Sequence, residues 1–171
     1  MLILTCGLPG SGKSKAIDIL MAKFGGKKWQ LIRPSDWVPE NLSTFDEETQ
    51  RAYNIGCWEM AMEKANEAIA QIPPKNTIVL DNCNSKFTTV STLISDARAA
   101  LHHVVLLFVQ SNVNLCLARN AKLSESLLRD YVDRFKVCLP KYKKVCDSFL
   151  VVRNNGTLEQ LENELRGVWG K

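Results

Sequence analysis

Mostly apolar runs of four to six residues recur along the chain, and stretches with apolar residues three or four positions apart lie between them. The runs predict buried strands at residues 2–6, 29–32, 77–80, 104–109 and 149–152. The stretches between them predict helices at residues 13–24, 46–72, 86–101, 112–120, 125–137 and 157–169. Because strands and helices alternate and several strands are apolar throughout, we predict a three-layer α/β/α fold with a central parallel sheet of about five strands.

A few residues mark where the helices should begin, break or end. Thr157 and Gln160 have the spacing of a capping box, in which two side chains bond the free N–H groups at the start of a helix. In the long second helix, Gly56 is a candidate break and Pro73-Pro74 a candidate end. These signals sharpen the predicted bounds without changing the predicted fold.

Composition limits the class of protein. The chain has 171 residues, 46% of them apolar and 23% charged, with no repeat or linker-like segment, so we expect one domain over residues 1–171. No apolar run is long enough for a membrane span, and no basic segment precedes an apolar one, so we expect neither a membrane anchor nor a signal peptide. Six cysteines without a C-x-x-C pair favour reduced thiols and a cytoplasmic, reducing compartment.

The charge of the chain is weakly basic, with a net charge of +4. Part of it comes from a lysine cluster at Lys136, Lys141, Lys143 and Lys144. Such a cluster suits a polyanionic partner, and a solvated basic surface is an equal alternative. The oligomeric state does not follow from these features.

Residues 7–14 read GLPGSGKS and fit the pattern G-x-x-x-x-G-K-[ST], the Walker A or P-loop motif. A predicted strand precedes the motif and a predicted helix follows it, which is the context that the motif requires. The loop residues expected to bind the ATP phosphates are Gly7, Pro9, Gly10, Ser11, Gly12, Lys13 and Ser14. Lys13 would reach the β- and γ-phosphates, and the Ser14 hydroxyl would be a ligand of Mg²⁺.

Two classes of nucleoside triphosphatase are disfavoured. A regulatory GTPase needs D-x-x-G after the third strand, where this chain has Asp81 followed by Asn84 at the glycine position, and the guanine motif N-K-x-D is absent from the sequence. A mechanical ATPase needs a second acidic residue after Asp81 to activate water, and none follows. A kinase has different requirements.

A kinase needs a carboxylate near the acceptor hydroxyl and a metal-binding group near the phosphates. Asp36 follows the second strand and Asp81 ends the third, so both are expected at the edge of the sheet where the P-loop lies. Asp36 is the candidate general base or orienting group, and Asp81 is the candidate Mg²⁺ or acceptor group. A turn residue and a plain strand-end aspartate are the respective structural alternatives.

Further candidates surround these carboxylates. Asn82 and Asn84 are candidate acceptor contacts, and Trp37 and Trp58 are candidates to stack a base or sugar, although core packing is the more common role of tryptophan. The polar break at about residues 119–126 is a candidate lid, in which Arg119 and Lys122 would contact the transferring phosphate. Asn154–Thr157, after the last strand, is a candidate contact for the nucleotide base.

With these residues assembled, the chain resembles the P-loop kinases of the polynucleotide 5′-hydroxyl kinase family, that is, the T4-type polynucleotide kinase domain. The resemblance spans nearly the whole chain and rests on GLPGSGKS, on Asp36, on VLDNCN at residues 79–84 and on LARN at residues 117–120. It implies that Lys13 and Ser14 serve ATP and Mg²⁺, that Asp36 activates a 5′-hydroxyl and that Arg119 belongs to the lid.

The chain departs from that family at three positions. Ser35 precedes the single acid Asp36, where the family has two adjacent carboxylates, so either residue can meet the acceptor. Val38 stands where the family has an arginine that binds the acceptor's 3′-phosphate, and Arg33 is a candidate substitute. Leu123 stands at the second lid arginine, which leaves Lys122 as the nearest cation.

The sequence therefore predicts an ATP- and Mg²⁺-dependent kinase acting on a hydroxyl. A 5′-hydroxyl on a polynucleotide, or another hydroxyl on nucleic acid, is the first acceptor hypothesis. A nucleoside, nucleotide or other small metabolite is the second, and a nucleotide-binding module without transfer activity is the third. Whether ATP or GTP is the preferred donor stays open.

Overall fold

Strands and helices alternate along the chain, as the apolar pattern predicts. The computed structural model describes residues 1–25, 28–71 and 76–169. Its strands are β1 (Leu2–Cys6), β2 (Trp29–Ile32), β3 (Thr77–Leu80), β4 (Val104–Gln110) and β5 (Ser148–Arg153). Its α-helices are α1 (Lys13–Leu20), α2 (Glu47–Ile69), α3 (Ser91–Ala99), α4 (Val113–Arg119), α5 (Glu125–Val145) and α6 (Leu158–Trp169). A π-helical turn (Met21–Gly25) continues α1, and 3₁₀ turns lie at Pro34–Trp37, Leu42–Thr44 and Phe87–Thr89.

The strands of the described chain form one parallel sheet in the order β2-β3-β1-β4-β5. At its centre, Leu2 of β1 is in register with Ile78 of β3 on one side and with Val104 of β4 on the other. Because the strands run the same way, their carboxyl ends share one edge of the sheet, and the loops that follow them gather there. The predicted α/β fold with five parallel strands is confirmed.

Helices cover both faces of the sheet, which explains why the strands are apolar throughout. Leu2 and Leu4 face a core cluster built with α2, α3 and α5, and Ile3 faces a second cluster built with α1 and α6. All three side chains are fully buried. Successive residues of β1 thus point to opposite faces, and each face has its own helical layer.

Helices α2, α3 and α5 depart from the predictions. Helix α3, expected from residue 86, begins at Ser91, and a 3₁₀ turn (Phe87–Thr89) precedes it. Helix α2 runs from Glu47 through Gly56 without a break, and Pro73-Pro74 lie outside the described residues. Helix α5 was expected to end at residue 137, but it continues through Pro140 to Val145. The buried face that includes Phe135 continues into this extension at Cys138 and Tyr142. That packing offsets the backbone hydrogen bond that proline cannot donate.

The predicted capping box forms at the start of the last helix. The Thr157 N–H donates to Gln160 Oε1 (2.9 Å), and the Gln160 N–H donates to Thr157 Oγ1 (3.3 Å). None of the helices in the described ranges combines the length and the apolar character that a membrane crossing requires. All six cysteines are free thiols; the cytoplasmic compartment stays a prediction.

Candidate active site

The P-loop motif forms the connection between β1 and α1. Gly10 has φ of +78°, and a Cβ built there would lie 2.8 Å from the carbonyl oxygen of Cys116 in α4. Gly12, the N-cap of α1, has φ of +91°, and a Cβ there would overlap the Asn154 amide beyond β5. Only glycine fits these positions, because backbone conformation and close neighbours both exclude a side chain.

Lys13 keeps its ammonium group inside this loop. Its Nζ donates to the carbonyl oxygens of Leu8 (2.8 Å) and Gly7 (3.2 Å), and the residue is only 8% exposed. No ion pair found within the described residues involves Lys13. A positive charge is therefore held against the loop without a carboxylate to neutralise it, which is an arrangement suited to an anion.

Two serines of the motif lie in different surroundings. Ser11 is buried, and within the described chain its Oγ has no hydrogen-bond partner. Ser14, in the first turn of α1, is exposed. The loop thus offers one orphaned buried hydroxyl and one accessible hydroxyl close to the α1 N-terminus, where the helix dipole favours negative charge.

Asp81 begins the loop after β3 and is 4% exposed. Its Oδ1 lies 2.9 Å from the Thr5 hydroxyl of β1, and its Oδ2 accepts from Arg33 Nε at 2.7 Å. The Thr5 hydroxyl is also within 2.8 Å of the Asn82 carbonyl oxygen and accepts from the Asn82 N–H at 3.0 Å. Both oxygens of the Asp81 carboxylate therefore already have protein partners.

Arg33, predicted as an acceptor contact, joins two carboxylates. Besides Asp81 it contacts Asp18 of α1, with Nη2 3.0 Å from Oδ1. Burial lowers the pKa of Arg33, but the hydrogen bonds that Arg33 donates to Asp81 and Asp18 outweigh burial, so that this pKa is raised. Its side chain is 19% exposed. The guanidinium is thus fixed within the site, and the three side chains together carry one net negative charge.

Ser35, Asp36 and Trp37 lie in the 3₁₀ turn that follows β2, and Pro34 starts this turn with its fixed φ. Asp36 and Ser35 are exposed, whereas Trp37 is half-buried with the Lys64 ammonium 4.6 Å from its ring centroid. No side-chain hydrogen bond to Asp36 occurs among residues 1–25, 28–71 and 76–169. The Asp36 carboxylate is therefore accessible, unlike that of Asp81.

Asn84 and Asn82, both predicted acceptor contacts, are used differently. Asn84 has φ of +44° and is 4% exposed, and its Nδ2 donates to the Thr5 carbonyl at 2.7 Å. Its own carbonyl accepts from the Tyr142 hydroxyl at 3.0 Å, and burial raises the pKa of Tyr142, so this hydroxyl stays protonated. Asn82 is half-exposed, and its Oδ1 accepts from the Cys83 N–H at 2.8 Å. The buried Asn84 side chain thus connects the loop after β3 to β1, and the Asn82 side chain lies at the surface of that loop.

Arg119, at the end of α4, lies on the opposite flank of the P-loop. Its Nη1 donates to the Ser111 hydroxyl and to the Asn154 carbonyl, both at 3.2 Å. Lys122 is exposed in the following break, where its N–H donates to Asn120 Oδ1 at 3.1 Å. The break between α4 and α5 is where the sequence predicts the lid, and Arg119 connects it to the loops after β4 and β5.

Asn154 is a residue whose contacts the sequence did not predict. Its Nδ2 donates to the Ser11 carbonyl at 2.8 Å, while its own carbonyl accepts from Arg119 and Ser111. It is 7% exposed. The sequence pattern that could have identified Asn154 is the same one that indicated Asp81: a polar residue directly after an apolar strand. Asn154 therefore braces the P-loop rather than lying free for a base.

The lysine cluster of the sequence does not form one patch on α5. Lys141 lines a cleft facing the loop after β3, together with Lys86 and Arg134. Lys143 instead lies over the Phe149 ring, with Nζ 5.0 Å from its centroid, and Lys136 pairs with Asp133 at 2.7 Å. Helical periodicity separates residues that are close in sequence.

Comparison with known families agrees with this geometry. A family model described as an AAA domain, AAA_33, matches residues 2–134, which include the P-loop, Asp36, Asp81 and Arg119. No curated protein matches the chain. Since the matched range covers most of the 171 residues and begins at the strand before the P-loop, the chain belongs to the AAA_33 family, a P-loop NTPase-like family that includes kinases.

Proposed function

We propose that this protein is an ATP- and Mg²⁺-dependent kinase that transfers the γ-phosphate of ATP to a hydroxyl, with the 5′-hydroxyl of a polynucleotide as the first acceptor. The observation that carries the proposal is that Lys13 is held in the P-loop with no ion pair to it in the described part of the chain, while Asp36 follows a strand at the same edge of the sheet with its carboxylate accessible. A phosphate-binding cation beside a free base is what a hydroxyl kinase requires.

The P-loop residues fit a nucleoside triphosphate with its metal. Positive φ at Gly10 and Gly12 lets the loop curve closely against Cys116 and Asn154, and the orphaned Ser11 hydroxyl lies in the same loop. Mg²⁺, when bound, neutralises phosphate oxygens during transfer. Ser14 would be its direct ligand, whereas Asp81 would contact it through water, because both Asp81 oxygens already accept hydrogen bonds.

Asp36 would accept the proton of the attacking hydroxyl, and Ser35 beside it is exposed enough to orient that hydroxyl. Arg119 would stabilise charge on the transferred group from the other flank, and its contacts with Ser111 and Asn154 hold its guanidinium beside the P-loop. We infer that residues 119–126 act as the lid and that residues 1–171 form one kinase domain.

A small-molecule acceptor is the second candidate, and a groove beside Asp36 favours it. Trp37 lines this groove of about 620 Å³ together with Tyr53 and Met60 of α2, and Glu59 and Glu63 lie at its rim. Apolar walls with an acidic rim suit a neutral or cationic metabolite better than a polyanion. Val38, where a phosphate-binding arginine would serve a polynucleotide end, points the same way.

The test is transfer of labelled γ-phosphate from ATP with Mg²⁺ to two acceptors in parallel. One is a 5′-hydroxyl oligonucleotide, as DNA and as RNA, and the other is a pool of nucleosides and nucleoside monophosphates. We expect label on the oligonucleotide, lost in Lys13→Ala and reduced at least about 100-fold in Asp36→Asn. Glu40→Gln, which changes an exposed carboxylate in the same segment, is the matched control and should keep full activity.

Each alternative has its own result. Label confined to the nucleoside pool would favour the metabolite kinase, and the same assay with GTP would fix the donor. Nucleotide binding without transfer to either acceptor would favour a nucleotide-binding module. An Asp36→Asn variant as active as the parent would remove Asp36 from the mechanism, and Ser35→Ala would then be the next variant to measure.

A further inference from the structure

A cleft separates the loop after β3 from helix α5, and we call it the α5 cleft. Its inner part, of about 380 Å³, is lined by Trp58 of α2, Asn82 of the loop and Tyr131 of α5. Its outer part, of about 580 Å³, extends along α5 to Lys141. Lys86 and Arg134 line both parts, so the cleft is continuous.

The inner end of the α5 cleft adjoins the P-loop. Cys83, which lines this end, accepts a hydrogen bond from the Gly7 N–H at 3.4 Å through its carbonyl oxygen. Gly7 is the first residue of the P-loop motif, and Asp81 lies two residues before Cys83. The segment around Cys83 thus lines the cleft and also contacts the P-loop, so the inner end of the cleft lies next to the segment that borders the phosphate-binding loop.

The side chains along the cleft carry positive charge without internal neutralisation. Of the ion pairs found in the described part of the chain, none involves Lys86, Arg134 or Lys141. Arg134 instead lies against the Tyr131 ring, with Cζ 5.3 Å from its centroid.

Two carboxylates lie in the outer part, and one of them is neutralised. Asp133 pairs with Lys136 at 2.7 Å, whereas no ion pair to Asp130 occurs in the described chain. The three cations therefore outnumber the unpaired carboxylate, and an anionic ligand gains more from the cleft than it loses.

The spacing of the cations indicates an extended ligand. Arg134 and Lys141 are seven residues apart on one face of α5, which is about 10 Å along the helix axis. At a rise of about 3.4 Å per phosphate, this is the length of about three stacked nucleotides. A mononucleotide or small metabolite would fill only the inner part and leave Lys141 without a ligand.

We propose that the α5 cleft binds the single strand of DNA or RNA that continues from the accepting 5′-hydroxyl. Lys86 and Arg134 bind its first phosphates, Lys141 binds a later phosphate, and its bases pack against Trp58 and Tyr131. A strand that reaches Lys141 then has at least about five nucleotides, because its first phosphate follows the first nucleotide and Lys141 lies about three phosphates further along. This inference rests on the proposed kinase function for the position of the accepting 5′-hydroxyl. It rests on the residues that line the α5 cleft for the binding of the rest of the strand.

Binding is measured first, without catalysis, by fluorescence anisotropy of 3′-fluorescein oligothymidylates and oligouridylates of two, four and eight nucleotides. We expect Arg134→Gln and Lys86→Gln to weaken binding of every length by roughly threefold to tenfold at low salt. Lys141→Gln should weaken binding of the eight-nucleotide strand and leave the dinucleotide unchanged. With the eight-nucleotide strand, each of the three variants should also reduce the slope of log affinity against log salt by about 0.7, because one phosphate contact is lost.

Two further variants make the test specific. Arg129→Gln removes a cation of the same helix that pairs with Glu125 and does not line the cleft, so binding should not change. Asp130→Asn removes the unpaired carboxylate of the outer cleft and should tighten binding of the longer strands. Equal effects of Arg129→Gln and Arg134→Gln, or affinity that does not depend on strand length, would overturn the proposal.

Different results would contradict the cleft proposal and the kinase proposal. Transfer of phosphate to nucleosides, with no oligonucleotide binding, would overturn the cleft proposal and leave the kinase intact. Oligonucleotide binding lost in Arg134→Gln, with no transfer from ATP and Mg²⁺ to any acceptor, would support the cleft and overturn the kinase. Preference between the DNA and RNA probes identifies the strand that the cleft takes.

Discussion

Arg33 donates from Nε to Oδ2 of Asp81 at 2.7 Å, and this bond joins the ends of β2 and β3 beside the P-loop. The Asp81 side chain is 2% exposed and that of Arg33 is 19% exposed, so the bond lies largely outside water. A buried carboxylate needs such a partner, since removing one member of a buried ion pair leaves the other charge uncompensated. The pair therefore fixes the Asp81 side chain beside the P-loop.

Arg33→Gln should lower the free energy of unfolding by about 2–3 kcal/mol, less than for a fully buried pair because water reaches part of Arg33. Urea denaturation measures the change. The double variant Arg33→Gln/Asp81→Asn should lose less than the sum of the two single variants, with a coupling of at least about 1 kcal/mol. Arg166→Gln, which breaks an exposed pair with Glu162, should change stability by less than about 0.5 kcal/mol. Additive effects of the two substitutions would contradict the pairing.

Two glycines in opposite surroundings test the P-loop geometry. Gly10→Ala should abolish nucleotide binding and destabilise the protein by about 1–3 kcal/mol, because φ is +78° and the Cβ would approach Cys116 O at 2.8 Å. Gly56→Ala, in the middle of α2 with nothing within 4 Å of the added Cβ, should stabilise the protein by about 0.5–1 kcal/mol. Titration with a fluorescent ATP analogue and thermal unfolding give the two readouts. Nucleotide binding by Gly10→Ala at the affinity of the parent would show that the loop has another conformation.

Asn154 and its neighbour Asn155 give a second matched comparison. Asn154→Ala removes the donor to Ser11 O and should cost about 1–2 kcal/mol of stability. The affinity for ATP should also fall, because the P-loop loses the hydrogen bond from Asn154 that supports it. Asn155, whose Oδ1 accepts from the Asn112 N–H, is exposed, and Asn155→Ala should cost no more than about 0.5 kcal/mol. Isothermal titration with ATP and urea denaturation measure the two effects, and equal losses of affinity would remove Asn154 from the loop's support.

Asp46 is the N-cap of α2, and its carboxylate should make the free energy of unfolding depend on pH in the acidic range. The Thr49 N–H, and then the Thr49 hydroxyl, donate to its carboxylate and hold the pKa of Asp46 below its ordinary value of 3.8. Because the folded-state pKa is the lower one, the stabilisation is complete above the unfolded value and is lost as the pH falls through the folded one. The stability difference between the parent and Asp46→Asn should therefore be constant near neutral pH and shrink below pH 3.8. Urea midpoints measured from pH 7 downward check this, and a difference independent of pH would contradict it.

The sequence predicted well the features that depend on residues close together in the chain. The strands and the P-loop are local patterns, and the structure has each strand within one or two residues of its predicted bounds. Contacts between distant residues were harder to predict. Asn154 is 143 residues from Ser11, and only the order of the strands brings β5 beside the loop. Arg33 was read as a free acceptor contact because neither Asp81 nor Asp18 could be placed next to it from sequence alone.

The end of helix α5 was predicted wrongly, at residue 137 instead of Val145, for a related reason. Pro140 disfavours a helix locally, and the sequence does not show that Tyr142 beyond it packs in the core and bonds the Asn84 carbonyl. The site roles of Asp36, Arg119 and Lys122 stay predictions.

The central position of β1 governs when the P-loop can form. β1 is made first, yet its partners begin at Ile78 of β3 and Val104 of β4, and the brace on its loop comes from Asn154. Contacts so far apart in sequence close slowly, since the entropy of the intervening chain opposes them. During synthesis, the P-loop is therefore translated well before the strands and the asparagine that hold its shape.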